Sequence, residues 1–199
     1  MANGLFLCLS KRFSYSCYRI FSINIFLLGL SACTSLGVKF EIDYADRDSL
    51  NFTGPGSATG IMLDGVMDGA GVAIGIAIDQ GIAKDISNNI LRHDPKFDFR
   101  DLLRQKLNRS SISGLESIKI QTYGFKSAPG KDLVSAWLKL DVVKNGTAFH
   151  INYPDDFADI RTEKFVKIKE NASIAVELLI HAIDEVIKRK LVNSNHNSD

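Results

Sequence analysis

LVSAWLKLDVVKNGTAFHINY, residues Leu133 to Tyr153, is the stretch on which the fold of this chain turns. Leu138, Leu140 and Val142 alternate with polar neighbours, and Trp137 falls on the other face, a period of two that predicts a half-buried strand from Leu133 to Lys144. Asn145-Gly146 follows at once, and a two-residue type I′ turn needs positive φ at both positions, which Asn and Gly adopt most easily. Ala148 to Tyr153 then returns antiparallel. Working upstream, Ser127-Ala128-Pro129-Gly130-Lys131 reads as a turn, and before it Ile118, Ile120 and Thr122 alternate with Lys119, Gln121 and Tyr123. Three strands therefore form a meander.

The flanks supply the other layer. Asp98 is placed to cap a helix running through Asn108, with Phe99, Leu102, Leu103 and Leu107 on one face. After a polar connection, Pro154 to Arg161, the residues Phe165, Val166 and Ile168 suggest a short strand or edge contact. A last helix runs from about Ala172 to Leu191 with Ile174, Leu178, Leu179, Ala182, Ile183, Val186 and Ile187 on its apolar stripe. Near the start, Val38, Phe40, Ile42 and Tyr44 alternate with Lys39, Glu41 and Asp43 as another strand. The order predicts an α+β fold: an antiparallel sheet of three to five strands with helices on one face, in a single domain over 38–192. Residues 193–199 form a polar tail, expected to be disordered.

The least ordinary region is the glycine-rich segment 60–92. Met62, Val66, Ala70, Ile74, Ile78, Ile82, Ile86 and Ile90 recur every fourth residue, which stacks them along a helix. One position earlier lies a row of small residues, Gly65, Gly69, Ala73, Ala77 and Gly81, with Gly71 and Gly75 as a further pair. Small rows let another backbone approach closely. The expectation is a helix whose small face lies on the sheet and whose isoleucine row fills the core. It is irregular in its first half, where Val72 to Ile78 could instead be extended, and it ends at His93-Asp94-Pro95. The competing reading is a membrane-active or self-associating segment over 60–81, although the uncharged run between Asp68 and Asp79 is too short to span a bilayer as a helix.

With 199 residues and 45% hydrophobic composition, the chain can bury a core of its own. Ahead of the domain, Lys11, Arg12 and Arg19 precede an apolar run from Ile20 to Leu30, and then come Leu30-Ser31-Ala32-Cys33. This is the layout of a secretory signal with a small-residue cleavage site, so residues 1–32 are expected to be removed. Loss of those three basic residues would leave 21 basic against 23 acidic and a net charge of −2, which does not suit nucleic-acid binding. Cys8, Cys17 and Cys33 all lie at or before that point, so the domain has neither a disulfide framework nor a cysteine metal site.

Leu30-Ser31-Ala32-Cys33 resembles the lipobox of bacterial lipoproteins. The resemblance implies recognition of Leu30, Ser31 and Ala32, lipidation of Cys33, and a short tether over 33–37. Thr34, where sorting to the inner membrane uses aspartate, implies the outer membrane with the domain facing the periplasm. Several acyl chains make such anchoring lasting. The element order is similar to that of lipopolysaccharide-assembly and lipid-transport auxiliary lipoproteins, a likeness of topology without shared signature residues.

Chemical motifs are few. Gly54-Pro55-Gly56-Ser57-Ala58-Thr59-Gly60 lacks the Gly-Lys-Ser/Thr of a P-loop. Asp43, Asp46 and Asp48, like Asp155, Asp156 and Asp159, lack the bidentate glutamate of a calcium loop. Asp64 and Asp68 share a helical face without a catalytic neighbour, and Glu177 with His181 reads as an exposed helix pair. No catalytic residue, metal or cofactor is assigned. The function expected is that of a non-enzymatic, membrane-anchored binding or accessory module for an envelope protein partner. Self-association through 60–81 and an envelope hydrolase with an unrecognised site are the alternatives. Gly65, Gly69, Gly71, Ala73, Gly75, Ala77 and Gly81 are the candidate interaction face.

Overall fold

A computed structural model describes residues 40–46, 48–54, 56, 70–110, 112–128 and 130–192. The chain divides into two units at Gly37–Val38, and the described residues all belong to the second. Their order is β1 (Glu41–Tyr44), β2 (Asn51–Thr53), α1 (Ala70–His93), α2 (Phe99–Arg109), β3 (Leu115–Ser127), β4 (Leu133–Lys144), β5 (Thr147–Tyr153), β6 (Glu163–Lys164), α3 (Phe165–Glu170) and α4 (Ala172–Val186). A π-helical stretch, Ile187–Val192, continues α4.

The fold is α+β. At its centre β3, β4 and β5 form the meander, with Asn145 at φ 51° and Gly146 at φ 71° in the hairpin turn. The sheet has six strands and is mixed, not purely antiparallel. β1 and β2 both run parallel to the same edge of β3, β1 against Ser117–Ile120 and β2 against Gly124–Lys126. Parallel pairing follows because the chain re-enters the sheet through α1 and α2 and not through a hairpin. On the far side, β5 and the two-residue β6 share the edge of β4.

Two elements depart from the periodicity. In β3 the register slips between Ile120 and Thr122, so one extra residue shifts the alternation. Ile118 and Ile120 point inward before it, and Tyr123 and Phe125 after it, which is why Tyr123 is buried and Thr122 only half-buried. At Phe165–Ile168 the expected strand is a short helix, whose Ile168 is buried and whose Phe165 ring lies 5.5 Å from that of Phe52.

Helices cover one face. α2 packs beside β1, α4 lies on β4 and β5, and α1 packs against β2, α3 and α4. Caps fix two starts: Asp98 accepts from the backbone N–H groups of Arg100 and Asp101, and Asn171 from those of Ser173 and Ile174. On α4, Leu178, Leu179, Ala182, Ile183 and Val186 are buried as their spacing predicts, while Ile174 is half-buried at the margin. The last helical stretch is fastened by Lys144, a buried lysine whose Nζ donates to the Leu191 carbonyl at 2.6 Å. The opposite face of the sheet, with Lys119, Gln121, Lys139 and His150, is open to solvent.

Candidate interaction face

Residues Ala70 to Ile78 continue the regular α1 helix, so the extended alternative for Val72 to Ile78 does not hold. Along its inner side Gly71, Gly75 and Asp79 succeed one another at four-residue spacing, and all three are buried. Asp79, only 3% exposed, accepts from the Gly54 N–H at 3.0 Å through one carboxylate oxygen and from the Gly56 N–H at 3.1 Å through the other. Paired backbone donors are what make a buried carboxylate tolerable. A Cβ on Gly56 would sit 2.5 Å from the Gly75 carbonyl oxygen and 2.6 Å from Asp79 Oδ1. The small residues therefore serve a close backbone approach, but against the chain's own backbone at Gly54 and Gly56. This corrects the expectation that the small face lies flat on the sheet.

The rest of the small-residue row points outward. Ala73, Ala77 and Gly81 are exposed, so the candidate face divides: Gly71 and Gly75 inward, Ala73, Ala77 and Gly81 outward. The isoleucine row divides as well. Ile86 and Ile90 are core residues, whereas Ile74 is 45% and Ile78 48% exposed, and Ile76, outside the row, is 47% exposed. Thus, among the described residues, the row enters the core from Ile82 onward, where Lys84, Asp85, Asn88 and Arg92 provide a polar outer side; Met62 and Val66 lie outside the described residues. The first half has no charged residue between Ala70 and Ile78 and is apolar on every side. Helices of that character are normally covered. Each half-exposed isoleucine leaves about 1 kcal/mol of burial unrealised. Gly65 and Gly69, Asp64 and Asp68, the tail 193–199, and Leu30, Ser31, Ala32 and Cys33 lie outside the described residues.

Elsewhere the polar groups hold the fold. Tyr44 Oη donates to Asp98 at 3.3 Å and Tyr123 Oη to Asp48 at 3.1 Å, while the Phe99 ring stacks on Tyr123 at 4.3 Å. Burial and the adjacent carboxylates push both phenols far above their ordinary value, so they act as fixed neutral donors. Asp48 thereby serves as the acceptor for the Tyr123 hydroxyl. Asp155 pairs with Lys126 at 2.9 Å and Asp156 accepts from the Asn152 N–H. Glu177 faces Arg161 at 3.6 Å. On the open face, Asp141 accepts from Gln121 at 2.5 Å and lies 2.6 Å from His150 Nδ1. Its slight burial works to raise the carboxyl, but these bonds and Lys119 outweigh it and hold Asp141 below the ordinary carboxylate value.

Beside β1 an open cleft of about 570 Å³ is lined by Phe40, Ile42, Asp43, Arg100, Arg104 and Glu116. Arg100 in it stacks over the Tyr44 ring at 5.8 Å and Arg104 pairs with Asp101. Among the described residues no group of His, Cys, Asp and Glu is placed to hold a metal, and no helix is long and apolar enough to cross a membrane.

Asp79 is the residue whose role spacing did not reveal. The signal was present in that it alone breaks the run of small residues at 71 and 75 by the same four-residue step. Compared with protein-family models, curated proteins and solved structures, the chain matches none.

Proposed function

We propose that this chain is a lipid-anchored accessory protein of the bacterial envelope, attached through Cys33, whose domain docks onto an envelope protein through the outer side of Ala70–Ile78. The observation that carries the reading is the exposure of Ile74, Ile76 and Ile78 on a helix half that has no polar face. Such a patch is stable in water only at a penalty that a partner removes. The leader and the lipobox-like residues support the anchor and its placement in the envelope. A photo-crosslinking residue at Ile76 in living cells should give one discrete adduct with another envelope protein, and the same probe at Asn88, on the polar half, should give none. Equal labelling at both sites would refute it.

A second reading, association between copies, has support from the outward row Ala73, Ala77 and Gly81, whose four-residue spacing suits close helix contact. Gly71 and Gly75 are unsuitable for testing it, since both are buried within the domain. Ala77→Leu is suitable. Under this reading it removes dimers from crosslinked membranes and leaves the far-ultraviolet dichroism unchanged.

A further inference from the structure

The register of the sheet separates the place where the chain enters the domain from the apolar half of α1. Phe40 leads into β1, whose Glu41 pairs with Ser117, close to the hairpin where the Asn145 N–H donates to the Gly114 carbonyl. β2 ends at Thr53, paired with Lys126. Ser117 and Lys126 are nine residues apart along β3, roughly 30 Å of strand. Just past Thr53, Gly54 and Gly56 bind Asp79. Further along the same helix, Asp85 pairs with Lys169 and Asn89 donates to the Lys169 carbonyl, just after β6, which pairs with Leu133 and Val134 at that same end of the sheet. Ile74 to Ile78, within about 8 Å of helix rise from Asp79, therefore lie at the end of the sheet remote from the entry point.

The seven Cα–Cα steps from Cys33 to Phe40 span at most about 25 Å when fully extended. That contour length is the upper bound on the distance between the entry end and a lipid carried by Cys33. That end also gathers the C-termini of both neighbouring helices, α2 with Arg109 and the last helical stretch, whose Leu191 carbonyl binds Lys144 of the hairpin strand.

We propose that the domain stands on the bilayer with its hairpin end, Gly114 and Asn145–Gly146, toward the headgroups and holds the isoleucine ridge roughly 30 Å away from them. The occupant of the ridge is then an apolar surface of a periplasm-exposed protein, not the anchoring membrane. This rests on lipidation at Cys33 and specifies the kind of partner. Because the domain has no thiol of its own, single labels are clean. Asn145→Cys and Ile76→Cys, each carrying an environment-sensitive fluorophore, would be purified as full lipoprotein and inserted into vesicles with quencher-bearing headgroups. The label at 145 should lose most of its emission, and the label at 76 should keep it. Quenching at 76 equal to or stronger than at 145 overturns the orientation when mass spectrometry shows Cys33 acylated. An unacylated Cys33 overturns the anchor, and the orientation with it.

Discussion

The first half of α1 and the whole of α4 are both rich in isoleucine, alanine and valine, yet they meet opposite fates. α4 lies across the middle of the sheet, and its stripe from Ala175 to Val186 is sealed against β4. In the first half of α1, Gly75 and Asp79 meet the backbone of Gly54 and Gly56 instead. Its inner side is glycine and aspartate, and its isoleucines face out on both flanks. Hydrophobicity alone does not bury a side chain. The width of the surface opposite does, and the backbone of two glycines offers little for an isoleucine to contact.

The largest test of that contrast removes volume from each helix. Leu178→Ala should lose about 2–5 kcal/mol in urea unfolding, because its site at the sheet is fully closed and cannot collapse. Ile76→Ala should change stability by less than about 0.5 kcal/mol. Similar losses from both would show that the ridge is covered within the domain itself.

Next comes the clasp. Asp79→Ala leaves two backbone donors without their carboxylate and should cost about 1–3 kcal/mol. The signature is local: hydrogen exchange should quicken at Gly54, Gly56 and the first turns of α1 while β3 and β4 stay protected. Gly56→Ala should give the same pattern, since its methyl would press on the Gly75 carbonyl. Protection left unchanged in both variants would mean that the clasp does not hold α1. Lys144→Met offers the counterpart on the α4 side, with faster exchange confined to Ile187–Val192.

The smallest effect lies on the open face. Asp141 is held below its ordinary carboxylate value, so its contribution is complete above an unfolded-state value near 4 and disappears as pH falls through the lower folded one. At a surface site this amounts to about 1 kcal/mol or less. Asp141→Asn should flatten the stability curve only in that acidic window. A change near neutrality would point to a different role for the His150 pair.

Much of the architecture is legible in the residues. The hairpin at Asn145-Gly146, the Asp98 cap and the stripe of α4 each follow from a local rule that tertiary contacts reinforce. β2 was not legible. It is three residues long, and it exists because Gly124, at φ 149°, lets the Asn51 backbone close on β3, where any Cβ would run into the Asn51 carbonyl oxygen. The bulge after Ile120 was equally hidden, as one inserted residue leaves no compositional trace. Within the candidate face, spacing identified the small residues but not which of them turn inward.

By itself the sequence determined the α+β class, the central meander, the helical state of Gln80–Arg92 and the presence of an unusually small-residued, uncharged helix start, because these depend on periodicity, turn chemistry and capping within a few residues. Only the tertiary structure decided that β1 and β2 run parallel to β3, that Gly71, Gly75 and Asp79 grip the backbone at Gly54 and Gly56, and that Ile74, Ile76 and Ile78 remain outside. Those outcomes depend on what lies opposite each face. That is set by segments many residues away, which no local pattern records.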